Sequence, residues 1–375
     1  LNGTVTSGNT DNINPIGIGT ITDDPADTPT VTITGNTAQE GTNVIFTATL
    51  DNPSSTDVIL TVLTGNDTTP GATQAIAGLD YTPVTTPVTI TILAGQLTGS
   101  TTVLVPALID PIVELPETFT LNGTVTSGNT DNTNPVGIGT ISESLPPPTV
   151  TIAGTTTPEN SNVVFTATLS GLSSTNVVLT VLTGNDLTLG ANQATSGLDY
   201  NPITTPVTIT ILAGQLTGST TVPVFALPDN IGETNETFAL NGTVTSGNTL
   251  NINPVGIGTI TDDPLDTPSL TITGTSTPEG SNVIFTATLD NPSSTDVIVT
   301  VVTGNDLTAT NPATVLLDYT PITTPVTITI PAGTITGTTT VPVPALNDNI
   351  GELNETFALN GTVTSGNTDN INPIG

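Results

Sequence analysis

The side chains of this sequence that could do chemistry are nearly all carboxylates, and they return in the same phrases along its length. A glutamate stands in a turn at Glu40, Glu159 and Glu279. An Asp-Tyr pair follows at Asp80-Tyr81, Asp199-Tyr200 and Asp318-Tyr319. A third phrase runs into Glu-Thr-Phe and holds Asp110, Glu114 and Glu117, then Asp229, Glu233 and Glu236, then Asp348, Glu352 and Glu355. The copies close on Glu143 in the first case and on Asp262 and Asp263 in the second. The phrase LNGTVTSGNT begins at Leu1, Leu121, Leu240 and Leu359, which sets a period of 119 to 120 residues. A repeat of that length is the usual size of a domain with its own core.

These acids have no basic partners. The 375 residues include 32 Asp and Glu against no Lys, Arg or His, for a formal charge of −32. Side-chain ion pairs are impossible, so metal ions, water or backbone amides must satisfy the carboxylates. Nucleic acid is excluded as a partner, because binding it relies on Lys and Arg neutralising phosphates. Without His, Cys or Lys the usual Ser–His and Cys–His nucleophile pairs cannot be assembled, nor can a His/Cys zinc site. Paired carboxylates can serve glycoside hydrolysis. Here, however, they recur in every copy and aromatic residues make up only 3% of the chain, so no enzyme is expected. No apolar run approaches the roughly 20 residues of a membrane-spanning helix, which argues against direct membrane insertion. With no cysteine, disulfides cannot staple the fold.

The elements that must position the acids read as strands. β-branched residues alternate with period two, and no helical period of useful length appears. In the copy starting near Thr28 the spacing predicts strands over 31–34, 43–50, 57–65, 87–93, 100–108, 117–128 and 136–142, with Gly, Pro, Asn and Asp between them. Seven short strands in a repeat of this length predict a two-sheet antiparallel β-sandwich of the immunoglobulin or fibronectin kind, repeated in tandem. The boundaries expected are 1–25 for the closing strands of a preceding copy, then 26–145, 146–264 and 265–375, the last without its final strand. Both ends are expected to be held by material outside this chain, since a lone hairpin is marginal in water and an open sheet edge invites pairing.

If successive strands run up and down, the connections that carry the acids all fall at one end of each sandwich. That end gathers Glu40, Asp67, Asp80, Asp110, Glu114, Glu117 and Glu143 in the first copy, while the opposite end holds only Asp51, Asp57 and Asp131. Every glutamate of the chain falls in these connections. So many like charges at one tip point to a hard divalent cation. Ca²⁺ suits them, because it takes 6–8 oxygen ligands in flexible geometry, and about three carboxylates per ion would allow on the order of two to four ions per tip. The TGND aspartates Asp67, Asp186 and Asp306 fit a turn cap as well as a ligand, and the three tyrosines read as core residues.

The GLDY turn, the acidic loop DNIGETNETF and the closing GTITDDP together resemble the Calx-β module, over three copies and a partial one. The resemblance implies Ca²⁺ ligands at Glu159, Asp199, Asp229, Glu233, Glu236, Asp262 and Asp263 in the second copy. Glu40, Asp80, Asp110, Glu114 and Glu117 correspond in the first, and Glu279, Asp318, Asp348, Glu352 and Glu355 in the third. Glu143 replaces the closing Asp pair of the first copy, whereas Asp23 and Asp24 match that pair ahead of it. Tandem modules of this composition are similar to the stalks of giant bacterial cell-surface adhesins of the gliding-motility or biofilm type. The function so implied is a calcium-stabilised extracellular spacer supporting adhesion or gliding, whose partners are neighbouring modules and other copies in a fibre. A glycan- or partner-binding adhesive module and a regulatory Ca²⁺ sensor are the alternatives. Near-identity between copies favours the spacer.

Overall fold

The computed structural model describes residues 1–348 and 350–375. It is all-β apart from a 3-10 turn at Pro25–Asp27. The chain divides into two compact units, Leu1–Pro148 with Gly171–Thr175, and Thr149–Ser170 with Asn176–Gly375.

The first unit contains nine strands of one sandwich. They are β1 (Val31–Gly35), β2 (Thr37–Gln39), β3 (Asn43–Leu50), β4 (Val58–Asn66), β5 (Val88–Ile92), β6 (Val103–Pro106), β7 (Ile112–Val113), β8 (Glu117–Ser127) and β9 (Val136–Ser142). One sheet has the order β1-β3-β6 and the other β2-β9-β8-β4-β5. Alternation decides which side chains face inward, as period two requires. In β3, Val44, Phe46, Ala48 and Leu50 are buried, and in β4, Val58, Leu60 and Val62 are. The threonines between them are left in contact with solvent. Tyr81 stacks on Phe119 at 4.1 Å between ring centroids, and Phe46 meets the same ring edge-on at 5.6 Å. The tyrosine is thus core, which is where the sequence put it. Leu172–Ser173 also belongs to this unit and pairs in parallel with β7.

Two features depart from the expected seven antiparallel strands. The first strand is broken, and its continuation β2 crosses to the other sheet and pairs in parallel with β9. The break falls at Gly35-Asn36. A Cβ on Gly35 would lie 2.4 Å from the Ile138 carbonyl and 2.6 Å from the Phe46 ring, so only glycine lets the chain pass between the sheets there. Asn36 then secures the crossing, its side-chain oxygen accepting from the Ile45 amide at 2.7 Å. The other addition, β7, is a two-residue strand inside the acidic loop.

The second unit holds two further sandwiches. The complete one uses β10 (Val150–Gly154), β11 (Thr156–Pro158), β12 (Asn162–Leu169), β14 (Val177–Asn185), β15 (Val207–Ile211), β16 (Val222–Phe225), β17 (Glu236–Ser246) and β18 (Val255–Thr261), the number β13 going to Leu172–Ser173 of the first unit. Its sheets repeat the orders of the first, β10-β12-β16 and β11-β18-β17-β14-β15. The other sandwich has β19 (Leu270–Gly274), β20 (Asn282–Leu289), β21 (Val297–Asn305), β22 (Val326–Ile330), β23 (Val341–Pro344) and β24 (Phe357–Ser365). Among the described residues its second sheet has three strands, β22-β21-β24, with Gly375 bonded to Leu359 beside them. Each of the three sandwiches has its own core cluster of buried residues.

Residues 1–17 form a hairpin with backbone bonds such as Gly3 to Pro15 and Val5 to Ile13, each 2.9 Å. Ile16 of the hairpin and Ile18 and Ile21 just after it are exposed.

Candidate metal centre

In the first unit the site is built where four connections meet. The β2–β9 pairing ends with the Glu40 amide donating to the Ser142 carbonyl at 3.0 Å, which anchors Glu40 beside the end of β9. Glu40 is 8% exposed, and its carboxylate accepts from the Ser144 hydroxyl at 3.0 Å. Asp80 closes a turn in the long β4–β5 connection, and its carboxylate accepts from the Ile76 amide. Asp110 accepts from the Ile112 amide at 2.7 Å, and Glu143 accepts from the Glu114 amide at 2.7 Å. These bonds bring one oxygen each from Asp80, Asp110 and Glu114 within 4.8 Å of one another. Glu117, at the start of β8, adds an oxygen that is buried without any hydrogen-bond partner.

The electrostatics follow from that crowding. Burial first, then the charges of Asp80, Asp110, Glu40 and Glu143, push the Glu114 carboxyl up to about 7. Glu117 is pushed up to about 8 by burial, by its shared hydrogen bond with Asp80 and by the neighbouring carboxylates. Glu40 is raised mainly by burial, against which the Ser144 hydroxyl acts.

The complete sandwich of the second unit repeats the arrangement. The Glu159 amide donates to the Thr261 carbonyl at 3.1 Å, and the Glu159 carboxylate, 6% exposed, accepts from the Asp229 amide at 3.2 Å. Asp199, Glu233 and Glu236 place one oxygen each within 4.8 Å of one another. A Glu236 oxygen is again buried without a partner. Burial leads in raising Glu159 and Glu233 to about 7 and Glu236 to about 8. Asp262 accepts from the Glu233 amide at 3.1 Å and so lines the site. In the third sandwich two triads converge to the same limit, Glu279 with Asp348 and Glu352, and Asp318 with Glu352 and Glu355.

Some acids stand elsewhere. Asp263 turns towards the linker and accepts from the Leu265 amide at 3.0 Å. Asp24 caps the Pro25–Asp27 turn through the Ala26 amide at 3.0 Å, Asp23 beside it is exposed, and neither falls in a converging group of acids among the described residues. The TGND aspartates cap turns. Asp67 accepts from the Thr69 amide at 2.9 Å and the Thr118 hydroxyl at 2.6 Å, and Asp186 and Asp306 repeat both contacts. One acid escaped the sequence reading. Asp266 has its carboxyl raised by burial and by Asp263, Asp262 and Asp229, which places it at the margin of the second centre. The only signal was its position three residues after the Asp pair.

These centres offer oxygen ligands alone. Converging carboxylates, two orphaned buried carboxylate oxygens and a chain free of side-chain cations fit a metal ion, and the acidic clusters could hold one. Among the described residues no helix is long and apolar enough to cross a membrane.

No protein-family model matches the chain, and no curated protein matches it. Solved structures similar to it include CBD12 from CALX1.2, at 11% identity over 62% of this chain and 99% of that one, with a TM-score of 0.24. The apo-form Calx CBD1 domain is 15% identical over 31% of this chain and 98% of its own, with a TM-score of 0.24. The Escherichia coli adhesin FdeC is 11% identical over 92% of this chain and 95% of its own, with a TM-score of 0.27.

Proposed function

We propose that this chain is a calcium-stabilised structural spacer, a run of modules belonging to the stalk of a larger extracellular adhesin or surface filament. The observation that carries the reading is the buried, partnerless carboxylate oxygen of Glu117 and of Glu236, each set among further acids in a chain without one basic side chain. A buried charge without a partner is costly, and protonation or a cation must relieve it. A bound Ca²⁺ supplies that positive charge, and its tolerance of irregular oxygen shells suits loops of unequal composition better than the strict octahedron of Mg²⁺.

Glu40, Asp80, Asp110, Glu114, Glu117 and Glu143 would hold it in the first module, and Glu159, Asp199, Asp229, Glu233, Glu236 and Asp262 in the second. In the third, Glu279, Asp318, Asp348, Glu352 and Glu355 would do so. Near-identical modules support a repeated mechanical part over a receptor, whose copies would be expected to diverge. The partners in this reading are neighbouring modules and other copies of the array, and no catalysis is assigned to it. Two measurements test the reading. Calorimetric titration should show calcium sites in every module, and small-angle scattering in calcium should show a rod whose length grows linearly with module number. A flat isotherm would remove the metal, and a compact particle would remove the spacer.

A further inference from the structure

We infer that the metal centre of the second module is completed from the third, with Asn367 as a positioning residue. This rests on the calcium reading above and adds a dependence on the neighbouring module that the reading does not contain.

The acidic loop of the second module carries Asp229, Glu233 and Glu236, and the third module grips it at two points. At its middle, the Gly232 amide donates to the Pro292 carbonyl at 2.8 Å, and the Gly232 carbonyl accepts from the Ser294 amide at 2.9 Å. Ser293, between those two partners, is 1% exposed. One residue further on, the Asn367 side-chain amide donates to the Glu233 carbonyl at 2.9 Å and reaches the Asp262 carboxylate at 3.5 Å. The Glu233 amide in turn donates to that same carboxylate at 3.1 Å. Glu233 therefore has both sides of its backbone held, one by Asp262 of its own module and the other by Asn367 of the next.

Asn367 is itself presented rigidly. The turn that carries it is braced on β19 by Asn370, whose side chain accepts from the Leu270 amide and donates to the Leu270 carbonyl, both at 2.8 Å. The Asp369 amide adds a bond to the Pro268 carbonyl at 3.0 Å. The grip also needs glycine at 232, where a Cβ would meet Pro268 Cδ at 2.2 Å and the Asp266 carbonyl at 3.0 Å.

A carboxylate ligand binds an ion tightly when its own position is already fixed by outer contacts, because less order is lost on binding. Asn367 and the Pro292–Ser294 turn supply that fixation to the loop bearing Asp229, Glu233 and Glu236. The same coupling works in reverse, since an ion that favours the held loop favours the docked neighbour equally.

The test uses the full chain with calcium alone as the probe. Asn367→Ala should weaken one class of sites, those of the second module, by roughly 5-fold or more in a calorimetric titration. Sites of the other modules should be unchanged. In chelator the same variant should also speed hydrogen exchange at the Gly232 and Ser294 amides. Asn129→Ala, at the corresponding turn of the first sandwich where the side chain is exposed, should alter neither readout. If Asn367→Ala unfolds the third module, Gly232→Ala decides, since it opens the same joint from the other side. Where both fold, their effects should not add, as expected for residues acting through one contact. A wild-type isotherm for the folded variants would overturn the inference while leaving the calcium reading intact. Absence of calcium binding by the wild type would overturn both.

Discussion

The second and third sandwiches carry almost the same letters, yet their acidic centres differ in depth. In the second, β11 pairs in parallel with β18, and Glu159 at its end is 6% exposed. In the third, where no strand among the described residues corresponds to β18, residues 275–278 form no strand and Glu279 is exposed. Phe238 is fully buried, whereas its counterpart Phe357 is half-buried. Glu236 is pushed up to about 8, mainly by burial, while Glu355 is raised from the same first cause but stands exposed. The triads nevertheless converge within 4.8 Å in both. Convergence of the acid-bearing connections thus does not require the closing strand, whereas burial of the carboxylates follows it. A site can have its ligands in place and still lack the dry setting that makes their charges strong.

The largest expected effect comes from placing a closing strand beside β24. Extending the chain after Gly375 with a copy of residues 257–263 should bury Glu279 and restore the parallel pairing seen at β11. Slowed hydrogen exchange over 275–279, to the level of 156–160, would show it. Unchanged exchange would mean that the closing strand does not build the site.

Next in size is a sign inversion at the partnerless glutamate. Glu236→Gln removes a charge that the metal-free fold must desolvate, so it should raise the melting temperature in chelator. It should also remove much of the gain from calcium. Glu355→Gln, at an exposed position, should move both values less. A fall in chelator for Glu236→Gln would contradict the idea that this carboxyl is held under strain.

The third prediction concerns pH. Glu117 and Glu236 keep their protons to about 8 in the fold against an ordinary value of 4.5. Stability from these groups is therefore fully present below about 4.5 and is lost as pH rises through about 8. Metal-free protein should melt at progressively lower temperature across that window, while the calcium gain grows, because a metal needs the carboxylates ionised. Calcium addition at neutral pH should release protons, which a weakly buffered titration would detect.

The smallest effect belongs to the opposite end of the sandwich. Asp57 only accepts from the Ala94 amide at 2.8 Å, so Asp57→Asn should leave the calcium gain unaltered.

How much of this was readable beforehand follows physical lines. Period-two alternation exposed the inward Val44, Phe46 and Ala48 directly, because strand sidedness is a local property. The gathering of Asp80, Asp110 and Glu114 was readable because up-and-down strands put alternate connections at one end. The crossing of β2 was not, since 37–39 falls in the connection expected between the strands at 31–34 and 43–50, and only folding brings Gly35 against the carbonyl of Ile138, about a hundred residues away. Nor could adjacent identical letters be told apart. Asp262 faces the centre and Asp263 the linker, a choice made by the turn at Leu265. Asp266 and Asn367 escaped for the same reason, as their roles depend on packing between modules.

The central claim is that these folded acidic centres bind calcium, and ions that bind only the folded state stabilise it in proportion to RT ln(1 + [L]/Kd). Thermal unfolding of the full chain at neutral pH, with calcium in excess and then with chelator, tests it most directly. At about 100-fold excess over Kd the gain is about 2.7 kcal/mol per site, so the melts should separate by many degrees. Coincident curves would contradict the account.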